Sequence, residues 1–156
     1  MRVIKSKVML DDDYKNVIVK EFAHNYTEVD SLKTPREIVK VMEDVFELHN
    51  MAEEHLYLLA MTTKCKPISF FEVSHGTATA SLASPREILI RALLCGATNI
   101  ILIHNHPSGS PVPSNADKII THRISEAAQL VDINFCDHIV VGRDGYYSFK
   151  EMNQNF

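Results

Sequence analysis

The stretch Asn99-Ile-Ile-Leu-Ile-His104 constrains the fold more than any other part of the chain. It has strand length, is apolar almost throughout, and is followed closely by Pro107. An apolar run without polar alternation marks a central strand covered on both faces. Its C-terminal end carries His104-Asn-His106, then seven residues, then Ser114-x-x-Asp117. Side chains two apart on a strand point to the same face, so both imidazoles can address one ion. Asp117 falls in the first turn of a helix that Ser114 or Asn115 can cap. The loop between, Pro107 to Pro113, holds three prolines and one glycine and can fold back at low entropic cost. Two imidazoles and a carboxylate suit one divalent metal, and Zn2+ takes such a set tetrahedrally. Three protein ligands leave one position open, which separates a catalytic zinc from a structural one. The bland alternative is a polar loop with two incidental histidines, and the buried strand beneath it argues against that.

Elements before and after this strand alternate. Residues 2 to 9 suggest a strand broken by Asp11-Asp12-Asp13, and residues 14 to 30 show no decisive pattern. Thr34-Pro35-Arg36-Glu37 starts a helix with a capping box, and Ile38, Val41, Met42, Val45 and Phe46 follow at helical spacing. Residues 55 to 63 and Ile68 to His75 read as two strands joined by a turn at Lys64-Cys65-Lys66-Pro67. Ser84-Pro85-Arg86-Glu87 repeats the capping signal, so that Ser31-Leu-Lys-Thr-Pro-Arg-Glu-Ile and Ser81-Leu-Ala-Ser-Pro-Arg-Glu-Ile read as two helix starts solved alike. The second helix ends near Gly96. A third runs from Ser114 to about Val131, residues 133 to 142 form a strand, and Arg143-Asp144-Gly145 turns into a return strand, Tyr146 to Phe149. The pattern is α/β: a mixed sheet with helices packed on it.

With 156 residues the chain is most simply one domain, preceded by an extension over residues 1–32 that combines an edge strand with an irregular segment. Net charge is -4, which gives no general pull toward nucleic acid and leaves only a local basic patch for it. Nothing reads as a signal peptide or a membrane span. Three scattered cysteines, Cys65, Cys95 and Cys136, without C-x-x-C, fit a reduced cytoplasm, and small buried filler is the expected role of each.

A hydrolytic zinc needs a base for its water. Glu54, Glu72 and Glu87 are upstream candidates. Glu87 is explained as a capping residue, and Glu54 precedes a strand and reads as solvated. Glu72 shares a strand face with Ile68, Phe70 and Ser74; buried there, it would have a raised pKa and exchange a proton near neutrality. A solvent-facing glutamate on an amphipathic strand is the alternative, and the residues alone leave both open. Ser114 is a helix cap or a donor to a developing oxyanion, roles that compete for one hydroxyl. His75 and His138 are candidate supports for the ligands, and Asp137 a candidate to orient an imidazole. His24, His49, His55 and His122 read as surface residues. The zinc deaminase signature, H-x-E with P-C-x-x-C, is absent.

H-x-H, seven residues, S, two residues, D resembles the JAMM signature of MPN-type metalloproteases. His104-Asn-His-Pro-Ser-Gly-Ser-Pro-Val-Pro-Ser114 resembles the RadC branch in particular, as do Ser84-Pro-Arg-Glu-Ile and Asp137-His-Ile-Val-Val-Gly142. The resemblance covers about residues 33 to 150, so that 33–156 is expected to be the RadC-like JAMM/MPN domain. It implies a curved mixed β-sheet flanked by helices, related to the cytidine deaminase-like architecture, and a Zn2+ held by His104, His106 and Asp117. It implies that Glu72 matches the family's upstream acid/base glutamate and that Ser114 matches the serine that stabilises the tetrahedral intermediate. Active eukaryotic members cleave isopeptide bonds, so the substrate implied is a peptide or an isopeptide-linked protein. RadC-like proteins were named for DNA repair, and longer ones carry a helix-hairpin-helix region that has no counterpart in the first 33 residues. A DNA-repair factor or a non-catalytic interaction module is the alternative.

Overall fold

The computed structural model describes residues 1–29, 31–76 and 84–154. Among them, seven strands form one mixed sheet in the order β2-β1-β4-β3-β5-β6-β7. Their ranges are β1 Arg2–Leu10, β2 Asn16–Asn25, β3 Glu54–Met61, β4 Pro67–Gly76, β5 Asn99–Asn105, β6 Asn134–Gly142 and β7 Gly145–Ser148. Helices α1 Pro35–Asp44, α2 Pro85–Leu94 and α3 Asn115–Gln129 pack on it. The pairs β1–β4 and β5–β6 are parallel and the others antiparallel.

The strand expected at the centre is there. Every residue of β5 is buried, between β3 and β6. Alternate residues feed two cores: Ile101 and Ile103 join Tyr57, Phe70 and the α1 residues Ile38 and Met42, while Ile100 and Leu102 join Leu58, Phe71, Ile88 of α2 and Ile124 of α3. The two faces of the sheet are therefore a helix α1 side and a helix α2/α3 side.

The capping box of α1 forms as the sequence predicts: Thr34 Oγ1 accepts from Glu37 N, and Glu37 Oε2 accepts from Thr34 N. At α2 the same letters behave differently. Ser84 is the N-cap residue but makes no side-chain capping bond: Glu87 N donates to Ser84 O, and the Glu87 carboxylate pairs with Arg86 and Arg91. Residues 81–83 lie outside the described part, so the repeat is comparable only from Ser84 on. Gly96 ends α2 in the left-handed region, at φ 68°.

The N-terminal segment departs most from expectation. Residues 16–25, which carried no decisive pattern, form β2 and take the sheet edge, leaving β1 inside. The hairpin is tied down by Phe22 against Phe46, by the Met1 amino group donating to Tyr26 O, and by Tyr26 Oη donating to Asp44 of α1. The cysteines also differ from the expectation of buried filler. Cys65 is exposed, in a turn with φ 55°, and Cys95 and Cys136 are half-buried. No helix among the described residues is long and apolar enough to cross a membrane.

Candidate metal centre

β5 ends where α3 begins, and the Pro107–Pro113 loop joins them. The loop is pinned onto the β6–β7 turn: His106 N donates to Val141 O, and Arg143 N donates to Gly109 O. Gly142 makes this approach possible, since a Cβ there would stand 2.3 Å from Gly109 O and 2.7 Å from Pro111 N. Folded back in this way, the loop sets Asp117, in the first turn of α3, against both histidines. His104 Nε2 lies 3.0 Å from His106 Nε2 and 3.3 Å from Asp117 Oδ1, and His106 Nε2 lies 3.4 Å from Asp117 Oδ2. The structure thus brings together all three expected ligands.

Those spacings test the fit to a metal. Tetrahedral ligands bound at 2.0–2.1 Å stand about 3.3 Å apart. Protonation gives a second test. His138 is fully buried, and burial, reinforced by the nearby His104, pushes its pKa well below the usual imidazole value. It is therefore neutral, with one N–H. Thr121 Oγ1 donates to Asp117 O and so accepts from His138 Nδ1, 2.6 Å away. That leaves His138 Nε2 to accept from His104 Nδ1 at 2.9 Å, and His104 Nε2 bare. His106 Nδ1 donates to Ser110 O at 2.9 Å, which directs its Nε2 the same way. Two imidazole nitrogens and a carboxylate thus converge as a group that could hold a cation. The hydrogen bond with Asp117 raises the pKa of His106, and Asp117 itself is held far below the usual carboxylate range: its burial opposes this, but His104, His106 and Ser114 outweigh it.

Ser114 caps α3. Its Oγ donates to Asp117 Oδ2 at 2.7 Å and accepts from Asp117 N at 3.2 Å, while Ser114 N donates to the same Oδ2 at 2.6 Å. Its proton is committed to orienting a ligand, and Asn115 begins the helix instead of capping it.

The expected base is placed elsewhere, and this is the main correction. Glu72 is in register with Tyr57, whose hydroxyl it meets at 3.4 Å, and Tyr57 and Ile103 belong to the α1-side core. His104 is in register with Leu56, which belongs to the α2/α3-side core. Glu72 and the histidine ligands therefore point to opposite faces of the sheet. Nor is its pKa raised. Burial pushes it up, but bonds from Lys5 Nζ, at 2.9 Å, and His55 outweigh burial and hold it below the usual range. Glu54 stands at the centre in its place. It is the first residue of β3, shares a face with Leu56 and Leu58, is only 9% exposed, and brings Oε1 to 3.7 Å from His104 Nε2. Glu54, His104, His106 and Asp117 form one group of converging ligand atoms. Glu54 had read as solvated because the strand neighbour of β5, and its register, are not written locally.

Asn105 was also missed. It faces away from the ligands, its Oδ1 accepting from His55 N at 2.7 Å and its Nδ2 donating to Glu53 O at 2.9 Å. It fixes the backbone on both sides of Glu54. Asp137 orients no imidazole: it accepts from Ser148 Oγ, Lys150 N and His138 N and holds the turn after β7. His138 is the support for His104, while His75 and His55 gather around Glu72 on the other face. His55, expected at the surface, is largely buried.

A family model described as the RadC-like JAB domain matches residues 32–154. The chain belongs to the RadC-like JAB domain family. It is 44% identical over 102 residues to a UPF0758 protein of Chlorobium phaeovibrioides, covering 65% of this chain and 46% of the relative. To a UPF0758 protein of Chlorobaculum parvum it is 42% identical over 114 residues, 70% of this chain and 51% of the relative. To one of Streptococcus gordonii it is 40% identical over 129 residues, 83% and 56% respectively. The chain spans about half the length of the curated relatives it matches. The ligand group and Glu54 fall inside the matched span of this RadC-like JAB domain, and the β1–β2 hairpin falls outside it.

Proposed function

We propose that this RadC-like JAB domain is a zinc-dependent hydrolase of peptide or isopeptide bonds, with Glu54 as its general base. The observation that carries the proposal is the convergence of Glu54 with His104, His106 and Asp117 on one face of the sheet. His104, His106 and Asp117 would hold the ion, which when bound supplies Lewis acidity toward a carbonyl and makes a nearby water more acidic. Glu54 takes a proton from the attacking water and returns it to the leaving amine, restoring its carboxylate. His138 and Thr121 hold His104 in the tautomer that leaves Nε2 free, and Ser114 aims Asp117. In this reading Ser114 is a positioning residue and Glu72 has no part in the reaction.

Glu54→Gln is the test. It is expected to bind zinc at wild-type stoichiometry and to lose at least ~100-fold in cleavage of a quenched fluorogenic peptide library, the usual scale for losing a general base. Glu72→Gln is expected to keep cleavage. A Glu54→Gln protein that cleaves at the wild-type rate overturns the role given to Glu54.

A further inference from the structure

The α1 side of the sheet carries a second group of ligand-bearing side chains: His55, Glu72 and His75. His55 and His75 stand directly opposite each other on β3 and β4, so their rings share a face. Glu72, three residues before His75, would ordinarily point to the other face. The register slips at this place: Leu56 pairs with Ser74, but Tyr57 pairs with Glu72, leaving Val73 as the extra residue of a bulge. A bulge re-aims the side chains beyond it. Here it turns Glu72 onto the face of the two histidines.

The three groups converge on one point. Glu72 Oε1 lies 2.9 Å from His55 Nδ1 and 3.2 Å from His75 Nδ1, and the ring centroids are 5.3 Å apart. These spacings fall close to the ~3.3 Å between ligand atoms around a tetrahedral ion bound at 2.0–2.1 Å. Lys5 Nζ takes the other carboxylate oxygen, Oε2, so Glu72 is left to offer one oxygen. Lys7 and Glu21 stand nearby, across an open cavity of about 420 Å³ that His75 also lines, which leaves room for water as a fourth ligand. Two imidazoles and a carboxylate suit a borderline transition ion such as Zn2+ better than Mg2+ or Ca2+.

We infer that His55, Glu72 and His75 form a second site for a divalent transition-metal ion, joining β3 to β4 on the face opposite the first centre. His55 follows Glu54 in sequence, so the two sites lie back to back across β3. The second site is independent of the catalytic proposal, and its test is separable from it. The full chain, stripped with chelator, is dialysed against micromolar free zinc, and bound zinc is counted by mass spectrometry. Wild type is expected to bind two equivalents. His75→Ala, at an exposed position, and Asp117→Ala are each expected to bind one, and the double variant none. Zinc should raise the Tm of Asp117→Ala but not of the double variant. Equal zinc counts in wild type and His75→Ala overturn the second site. A folded Asp117→Ala that binds no zinc likewise overturns it. Should Asp117→Ala not fold, wild type against His75→Ala decides.

Discussion

Asn105 stands between His104 and His106, and its side chain touches neither ring; its amide holds the strand that presents Glu54. The candidate centre is built of such paired roles, one residue facing the converging group and one behind it. His138 is the clearest case, buried and bonded to His104 on one side and Thr121 on the other. His138→Ala is expected to weaken zinc binding at the first centre by 10- to 100-fold, on the scale of lost supporting bonds. Competition of the His75→Ala background with a chromogenic chelator measures it, and His138→Gln, which keeps an acceptor, should recover part of the loss. Ser114→Ala separates two assignments of one hydroxyl. If Ser114 positions Asp117, the variant loses zinc affinity and regains turnover at saturating zinc. Turnover that stays low at saturation would instead restore the oxyanion role.

At the scale of elements, identical letters do not give identical caps. Thr34 and Ser84 each precede Pro-Arg-Glu-Ile, yet only Thr34 bonds its helix. Thr34→Ala is expected to cost about 1 kcal/mol in denaturant unfolding. Ser84→Ala should cost a small fraction of that, because the Ser84 hydroxyl makes no capping bond to lose. Equal losses would show that Ser84 caps α2 in solution. The Pro107–Pro113 loop works in the same local manner: Gly142 lets it lie against the β6–β7 turn, and the ligand triad follows from that docking.

At the scale of the molecule, the hairpin of β1 and β2 lies outside the family match but is fastened to the domain through Tyr26 and Asp44. The Tyr26 bond, with help from Lys40, holds Asp44 below its ordinary value of 3.8. The sign follows: a carboxylate depressed in the folded state stabilises above its unfolded value, and that contribution fades as pH falls through the folded value. Wild type should therefore exceed Asp44→Asn in Tm by a constant margin between about pH 5 and 7, and the margin should shrink below about 3.8. A margin that does not change with pH would place the stabilisation outside the ionised pair.

The sequence by itself determined the central strand, the His104-Asn-His106 spacing at its end and the helix start that carries Asp117. Each of these is a local matter: an apolar run, a two-residue spacing on a strand, a cap. Tertiary structure alone decided which glutamate meets them. Local sequence favoured Glu72, which is flanked by Phe71 and Val73, over Glu54, which is flanked by Glu53 and His55. The choice depends on β3 lying beside β5, on Leu56 facing His104, and on a one-residue bulge in β4 that turns Glu72 to the other face. A sheet assigns its side chains to faces with a period of two, so a single residue of register moves a carboxylate from one side to the other. That register is fixed by pairing between distant strands.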